Sequence, residues 1–437
     1  MVVLFTVILA LSSGASAAGW TEQVLHSFQG RPDGAEPAGG VIFGKDGNLY
    51  GTTYGGGQGI GTVFQLLKNG HTWTETVLYS FQGKDQNDGD IANGGLVSDP
   101  EGNLYGVAAY GGSGNCVLLG ADVGCGIVYE MTRPATPGGT WTESVIYSFQ
   151  GGKDGYVPWG DLTFDAKGNL YGATEFGGGK GNTCDPFYQY CGTVFELSPP
   201  KQKGGHWIEK VLHSFKSGTD GANPNGGLVL DTRGAVYGTT FIGGYNCPHN
   251  SGQGCGTVFR LTPPTSRSGA WTETVLHRFK GPPDGGGPSA GVIFDRDGIL
   301  YGTTAAGGGS NFGQGTVFEL VPHSNGTWRE LVLYSFKDGD DGNEPSAALV
   351  LDTGGNLVGV ATGGGIAGGG TIFRLRPTGR SWAFTALYEF TGNPDGAYPA
   401  GGVIFDAVGN LYSTTQRGGN VSACGSYGCG TVFQVKP

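Results

Sequence analysis

The chain is predicted to fold as an all-β, seven-bladed propeller with four antiparallel strands per blade. Three observations carry this expectation. Seven copies of one unit begin at Trp20, Trp73, Trp141, Trp207, Trp271, Trp328 and Trp382. Their starts are 53, 68, 66, 64, 57 and 54 residues apart, a period that belongs to solenoids, propellers or arrays. Each copy holds four strand-sized runs, and the chain opens on the last run of a unit and closes on the third.

In the first copy the runs are Thr21–Phe28, Gly40–Phe43, Leu49–Thr53 and Gly61–Leu66. Val, Ile, Phe, Tyr and Thr fill them, and Gly, Asp and Asn separate them, as in strands joined by turns. The Gly-Gly-Val-Ile-Phe run is expected to be innermost. Small residues open it in every copy, from Gly39-Gly40 and Gly94-Gly95 to Ala347-Ala348 and Gly401-Gly402, and seven strands converging on one axis leave no space for larger ones. The Leu-Tyr-Gly-Thr run comes next, reached through a hairpin such as Asp165–Asn169 or Asp406–Asn410. Gly44 and Ser98 are read at the Asp position of that turn in the first two copies. The Gly-Thr-Val-Phe run is third and the Trp run outermost. The N-terminal strand Trp20–Phe28 should therefore complete the blade built from Gly401–Val435, which closes the ring and removes a free sheet edge. A β-helix is the main rival, although its repeats are usually shorter. No helical periodicity runs through residues 18–437, read as a single propeller domain.

Composition sets the class of partner. Gly supplies 89 of 437 residues, but at recurring positions rather than as low-complexity sequence. A net charge of −11 argues against nucleic acid, which demands a basic surface, and against anionic lipid. Residues 1–17 read as a signal peptide, with an apolar Val2–Leu11 and Ala15-Ser16-Ala17 before the cleavage point, although no Lys or Arg precedes the apolar run. Eight cysteines fall in four close pairs, Cys116 with Cys125, Cys184 with Cys191, Cys247 with Cys255, and Cys424 with Cys429. The second of each directly precedes the third strand of its blade. Local disulfides in an oxidising compartment follow, each worth roughly 2–3 kcal/mol through loop entropy. The spacings do not match a zinc site.

The compound pattern W-T-E-x-V-L-x-S-F, G-N-L-Y-G-T-T and G-T-V-F-x-L resembles the choice-of-anchor tandem-repeat family of secreted bacterial proteins, also called the GloVer repeat. The match runs from about Trp20 to Pro437. The resemblance implies an exported repeat protein and brings no established activity. Members often carry a C-terminal anchoring tail; none is seen here, so a soluble secreted or periplasmic form is expected.

Candidate chemistry is sparse. One Asp precedes each inner strand, Asp33, Asp88, Asp154, Asp220, Asp284, Asp341 and Asp395. Uniform spacing sets them in a ring on one face. They read first as turn residues accepting local backbone hydrogen bonds, and otherwise as holders of a cation or polar ligand near the channel mouth. His26, His213 and His277 share one outer-strand position with Tyr79, Tyr147, Tyr334 and Tyr388, and read as structural surface residues. No nucleophile elbow or phosphate loop occurs. The departures from the repeat are more informative. Trp159 is the one tryptophan outside the repeat position, with Asp154 and Asp161 close in sequence. Tyr54, Tyr110 and Phe176 open equivalent loops, and Phe187, Tyr188 and Tyr190 lie between Cys184 and Cys191. Aromatic residues gathered on one face suggest sugar stacking; hydrophobic closure of large loops is the other reading.

The expected function is therefore a secreted, non-catalytic binding or scaffold propeller, with an extracellular polysaccharide or surface protein as partner. The alternative is a glycan-active hydrolase or lyase using acidic residues of the same face. No catalytic residue, metal ligand or cofactor is assigned. A monomer is expected, with no nucleic-acid partner and no membrane contact once the signal peptide is removed.

Overall fold

The computed structural model describes residues 19–179, 191–202, 204–245, 247, 254–266, 269–309, 314–337, 339–422 and 424–437. The expected signal peptide, the Cys184 partner of Cys191, and Phe187, Tyr188 and Tyr190 lie outside the described residues. Among the described residues there is no α-helix, and none is long and apolar enough to cross a membrane.

Seven antiparallel sheets form the blades of a propeller. Blade 1 runs from the inner strand Ile42–Phe43 through Leu49–Thr53 and Thr62–Asn69 to the outer strand Thr72–Ser80. The same order repeats in blades 2 to 6. Blade 7 takes Ile404–Phe405, Leu411–Arg417 and Thr431–Lys436 from the C-terminal end and Thr21–Ser27 from the N-terminal end. Thr21 lies opposite Lys436 and Ser27 opposite Thr431, so the expected closure is formed.

The inner segments differ from the expected strands in extent. In blades 1, 4, 5 and 6 the inner strand that pairs with the second strand is only Ile42–Phe43 or its two-residue equivalent, and in blades 2 and 7 a separate segment, Gly89–Ala92 or Ala397–Pro399, pairs as well. The preceding glycines instead pack backbone against backbone around the axis. A Cβ on Gly39 would stand 2.7 Å from the Gly94 carbonyl oxygen, and one on Gly226 2.5 Å from the Ala290 carbonyl carbon. Blade 3 has one continuous long inner strand, Tyr156–Phe164, that contains both Trp159 and Asp161.

The hairpin reading needs one correction. In blade 2 the turn is capped by Asp99, whose Oδ1 accepts the amides of Glu101, Gly102 and Asn103. Ser98 is the strand residue before it. In blade 1 the amide and carbonyl of Gly44 and Asn48 close the turn, and Asp46 supplies the carboxylate that Tyr50 bonds at 2.8 Å.

Blades are joined by aromatic rings. The Phe ending each outer strand meets the aromatic residue of the next blade's third strand edge to face: Phe28 with Phe64, Phe81 with Tyr129, Phe149 with Phe195, and so on to Phe390 with Phe433, at 5.0–5.2 Å between centroids. All seven of these leading Phe residues are buried. The repeat tryptophans add a second seam, since Trp73 meets Tyr412, Trp141 meets Tyr50 and Trp207 meets Tyr105 across blade boundaries.

Disulfides Cys116–Cys125, Cys247–Cys255 and Cys424–Cys429 are formed, and Cys191 is also disulfide-bonded. Three complete local disulfides and the lack of a spanning helix among the described residues are compatible with a secreted or periplasmic protein.

Two outcomes follow from this architecture. Deleting Trp20–Phe28 exposes the edge Thr431–Lys436 and should lower the melting temperature sharply and promote oligomers; scanning calorimetry with light scattering measures both, and an unchanged monomer would contradict the closure. Truncating Phe149→Ala removes one interblade ring and should cost about 3–5 kcal/mol in denaturant unfolding. A cost below about 1 kcal/mol would show that the blades do not depend on this contact.

Candidate functional site

The loop-rich face carries two arrangements, one at the rim and one on the axis. The rim arrangement joins the two polar series that the sequence showed separately. Asp33 and its six equivalents each accept a backbone amide from the loop start, as from Gln29 at 2.9 Å or Lys216 at 2.7 Å. Each also binds the His or Tyr of the preceding outer strand: His26 to Asp33 at 3.1 Å, Tyr79 to Asp88 at 2.7 Å, Tyr147 to Asp154 at 3.0 Å, His213 to Asp220 at 3.4 Å, His277 to Asp284 at 3.3 Å, Tyr334 to Asp341 at 2.7 Å, and Tyr388 to Asp395 at 2.7 Å. The ring of aspartates thus ties loops to outer strands, away from the channel.

A third member was not visible in the sequence. The Glu of the Trp-Thr-Glu segment in the next blade faces the same Asp, giving Glu75 beside Asp33, Glu143 beside Asp88, Glu209 beside Asp154, Glu273 beside Asp220, Glu330 beside Asp284, and Glu22 beside Asp395. One carboxyl oxygen of each of these six glutamates is buried with no hydrogen bond within the protein. Burial first, and the neighbouring Asp charge second, push the Glu22 and Glu143 carboxyls up to about 8 and that of Glu209 to about 7. A carboxyl that keeps its proton near neutrality avoids like-charge repulsion against Asp. At the seventh boundary Phe384 stands in place of Glu and stacks on Tyr334 at 4.5 Å between centroids.

The axial arrangement holds the non-repeating residues. The inner segments surround an open cavity of about 340 Å³ lined by Gly39, Gly94, Gly226, Gly401 and their neighbours. Trp159 and Asp161 both lie in its wall. Asp161 occupies the place of an axial glycine, and its Oδ1 accepts the Gly95 amide at 2.6 Å. Its carboxyl faces the channel, but the surrounding strands displace bulk water and push its pKa up, opposed by the Gly95 bond. Asn93, Asn225 and Ser289 line the same cavity. Asn93 Oδ1, Asn225 Oδ1 and Ser289 Oγ are buried and make no hydrogen bond within the protein.

The sequence-predicted ligand residues therefore divide. Trp159 and Asp161 come together on the axis, and Asp154 does not join them, because Tyr147 and the Gln150 amide hold it at the rim. Tyr110 and Phe176 line a small crevice with Tyr156 and Cys116, where Tyr156 and Phe176 rings pack 5.4 Å apart. Tyr54 is exposed.

Fold and site together define a disulfide-bonded seven-bladed propeller with one asymmetric blade at its axial channel. The Gloeobacter/Verrucomicrobia repeat model matches residues 13–117, 116–268 and 247–437, and the chain belongs to that family. No curated protein matches it. Similar solved structures include a Trichoderma reesei protein of carbohydrate-active enzyme family AA12, at 13% identity over 99% of this chain and 100% of that one, with a TM-score of 0.47. A Lactobacillus plantarum protein shares 14% identity over 91% and 99% of the two chains, with a TM-score of 0.49. A Dyadobacter fermentans protein of unknown function shares 13% over 84% and 98%, with a TM-score of 0.43.

The rim glutamates give a definite pH dependence. A carboxyl raised in the fold binds more protons folded than unfolded between its two pKa values. Its stabilising contribution is complete below the unfolded value of about 4.5 and is lost as pH rises through about 8. Folding stability measured by denaturant titration should therefore fall between pH 5 and pH 8.5. Glu143→Gln, which keeps the neutral shape, should flatten part of that slope. Stability that rises over this window would show that the carboxyls ionise freely.

Proposed function

We propose that the protein is an exported binding propeller that takes a hydroxyl-rich ligand, such as the end or edge of an extracellular glycan, at the mouth of its axial channel. The observation that carries this reading is the break in symmetry at blade 3. A residue needed to hold every blade recurs in every blade, as the rim aspartates do. Trp159 and Asp161 do not recur, and both stand in the channel wall.

The chemistry of the wall suits a sugar. A half-buried indole offers a flat apolar face to the C–H side of a pyranose. Asp161 can accept from hydroxyls through the oxygen that the Gly95 amide leaves free. Asn93 Oδ1, Asn225 Oδ1 and Ser289 Oγ are polar atoms still without partners in the protein, and a ligand or ordered water that satisfied them would recover a desolvation cost of about 1–3 kcal/mol each. An apolar surface with a few convergent polar groups is the usual make-up of a small-molecule site.

Among the described residues lining this cavity Asp161 is the one carboxylate, whereas glycoside hydrolysis by the two-carboxylate route needs a pair about 5–9.5 Å apart. That favours binding over turnover.

A polysaccharide array probed with the oxidised, full-length mature protein tests the reading. For any glycan retained, Trp159→Ala should weaken binding at least tenfold, about 1.4 kcal/mol, with the melting temperature nearly unchanged. Asp161→Asn should weaken it less. Binding that is indifferent to both substitutions would remove the channel as the site. Release of reducing ends during incubation would replace a binding protein with a hydrolase.

A further inference from the structure

Independently of the channel, the geometry points to a divalent transition-metal site at the seam where the N-terminal strand meets blade 1, formed by His26, Asp33 and Glu75. His26 lies on the outer strand Thr21–Ser27 of blade 7, Asp33 in the loop that leaves it, and Glu75 on the outer strand Thr72–Ser80 of blade 1. One donor atom from each lies within 4.8 Å of the other two. Ligands about 2.1 Å from a tetrahedral zinc are about 3.4 Å apart, so modest side-chain rotations are enough to close the set.

The donor chemistry selects the ion. One imidazole nitrogen and two carboxylates suit Zn²⁺ and its first-row neighbours better than Ca²⁺ or Mg²⁺, which favour all-oxygen shells. Both carboxyls, ionised as metal ligands must be, match the ionic charge. Asp33 Oδ1 and Glu75 Oε1 are buried and bond nothing in the protein, while Asp33 Oδ2 is already fixed by the Gln29 amide and His26. Imidazole Nε2 would exchange its contact with Asp33 for the metal, and solvent would complete the shell.

The other boundaries serve as internal comparisons. Tyr79, Tyr147 and Tyr388 replace His at three boundaries that keep both acids, so the Asp–Glu pairing alone builds a blade junction without imidazole. The His213 triplet does not gather its donor atoms within the same distance, and the His277, Asp284 and Glu330 triplet does. Lys280 shares the pocket of that second triplet and acts on Glu330. The charged neighbours acting on Glu75 are Asp33 and His26, which makes the seam the more favourable place for a cation.

A metal here would clip the ring-closing strand to the first blade, so binding and closure would be linked. The test is calorimetric titration of the oxidised, metal-stripped full chain with Zn²⁺, with Ca²⁺ as the comparison ion, alongside thermal unfolding. His26→Tyr is the main variant, because the same residue occupies the equivalent position in four other blades and its phenol can keep the bond to Asp33. The metal-free melting temperature of this variant should match that of the parent. Zn²⁺ at a hundredfold excess over its Kd should raise the melting temperature of the parent by about 3 °C. His26→Tyr and Glu75→Gln should each lower Zn²⁺ affinity at least tenfold, and His277→Tyr should leave the seam site intact. No Zn²⁺ binding, Zn²⁺ binding unaffected by His26→Tyr, or equal affinity for Ca²⁺ would each overturn the assignment.

Discussion

The edge-to-face contact between the Phe that ends each outer strand and the aromatic residue in the next blade's third strand is the interaction on which the ring depends. A sheet of four short strands cannot bury both of its faces alone. Here each sheet lends one ring to its neighbour and receives another. The centroid distances vary by only 0.2 Å around the seven boundaries, from 5.0 to 5.2 Å. The contact also dictates a small residue in the facing second strand. A Cβ on Gly51 would lie 2.6 Å from Phe64 Cζ, and one on Gly302 2.5 Å from Phe318 Cζ. The Gly of the Leu-Tyr-Gly-Thr signature thus makes room for the ring of its own blade's third strand, with Ser413 the small residue opposite Phe433 in blade 7, and the Tyr hydroxyl is anchored on the hairpin Asp, as Tyr301 is on Asp295.

Polar groups at the rim do a second job with the same periodicity. Aromatic edges fix the distance between blades but leave the loops at the face unattached. The Asp of each loop takes one bond from its own loop start and one from the outer strand behind it, and at six of the seven boundaries it meets the Glu of the strand ahead. A proton retained on that Glu lets two acids share a half-buried place. Phe384 shows that the place tolerates an apolar substitute, since it stacks on Tyr334 and extends the aromatic seam to Phe373 at 5.9 Å. Stability at each boundary is therefore obtained by either of two means, and the choice decides whether the boundary responds to pH.

Much of the fold was legible because its causes are local and repeated. Strand order follows from the glycines that only an axis requires, and closure follows from incomplete units at the two ends. The Leu49–Thr53 strand agrees with its expected limits to the residue. Blade 2 departs from the expectation at one residue: Asp99, not Ser98, is in its turn, four residues before Asn103 as Asp165 is before Asn169, and Ser98 takes the strand place that Phe164 fills in blade 3. The candidate site was legible in part. Trp159 stood out as the tryptophan that breaks the pattern, and the structure places it in the channel. Asp154, five residues before Trp159, also stands near it in sequence, but Tyr147 draws it to the rim. The Glu–Asp–His triplets could not be found by inspection, because Glu75 lies 42 residues beyond Asp33 and meets it only across a blade boundary. Recurrence of Glu two residues after the Trp was the available signal, and along its own strand it reads as a solvated outward side chain until the neighbouring blade brings Asp beside it.

A repeated fold separates holding from binding in a way that a single irregular domain does not. Each residue that the ring needs is present at most or all of the seven boundaries, so symmetry itself identifies the structural part. Among the described residues lining the channel, what remains is small: one indole, one axial carboxylate, and a few unbonded side-chain oxygens beside them. Asp161 takes the place of a glycine on the axis and is held by one amide bond, from Gly95 at 2.6 Å. Nothing in blade packing requires it, because the other six blades close around Gly or Ala at that position. A carboxylate that blade packing does not need, open to the channel and fixed by the neighbouring blade's amide, is thus set apart from everything in the repeat that holds the ring.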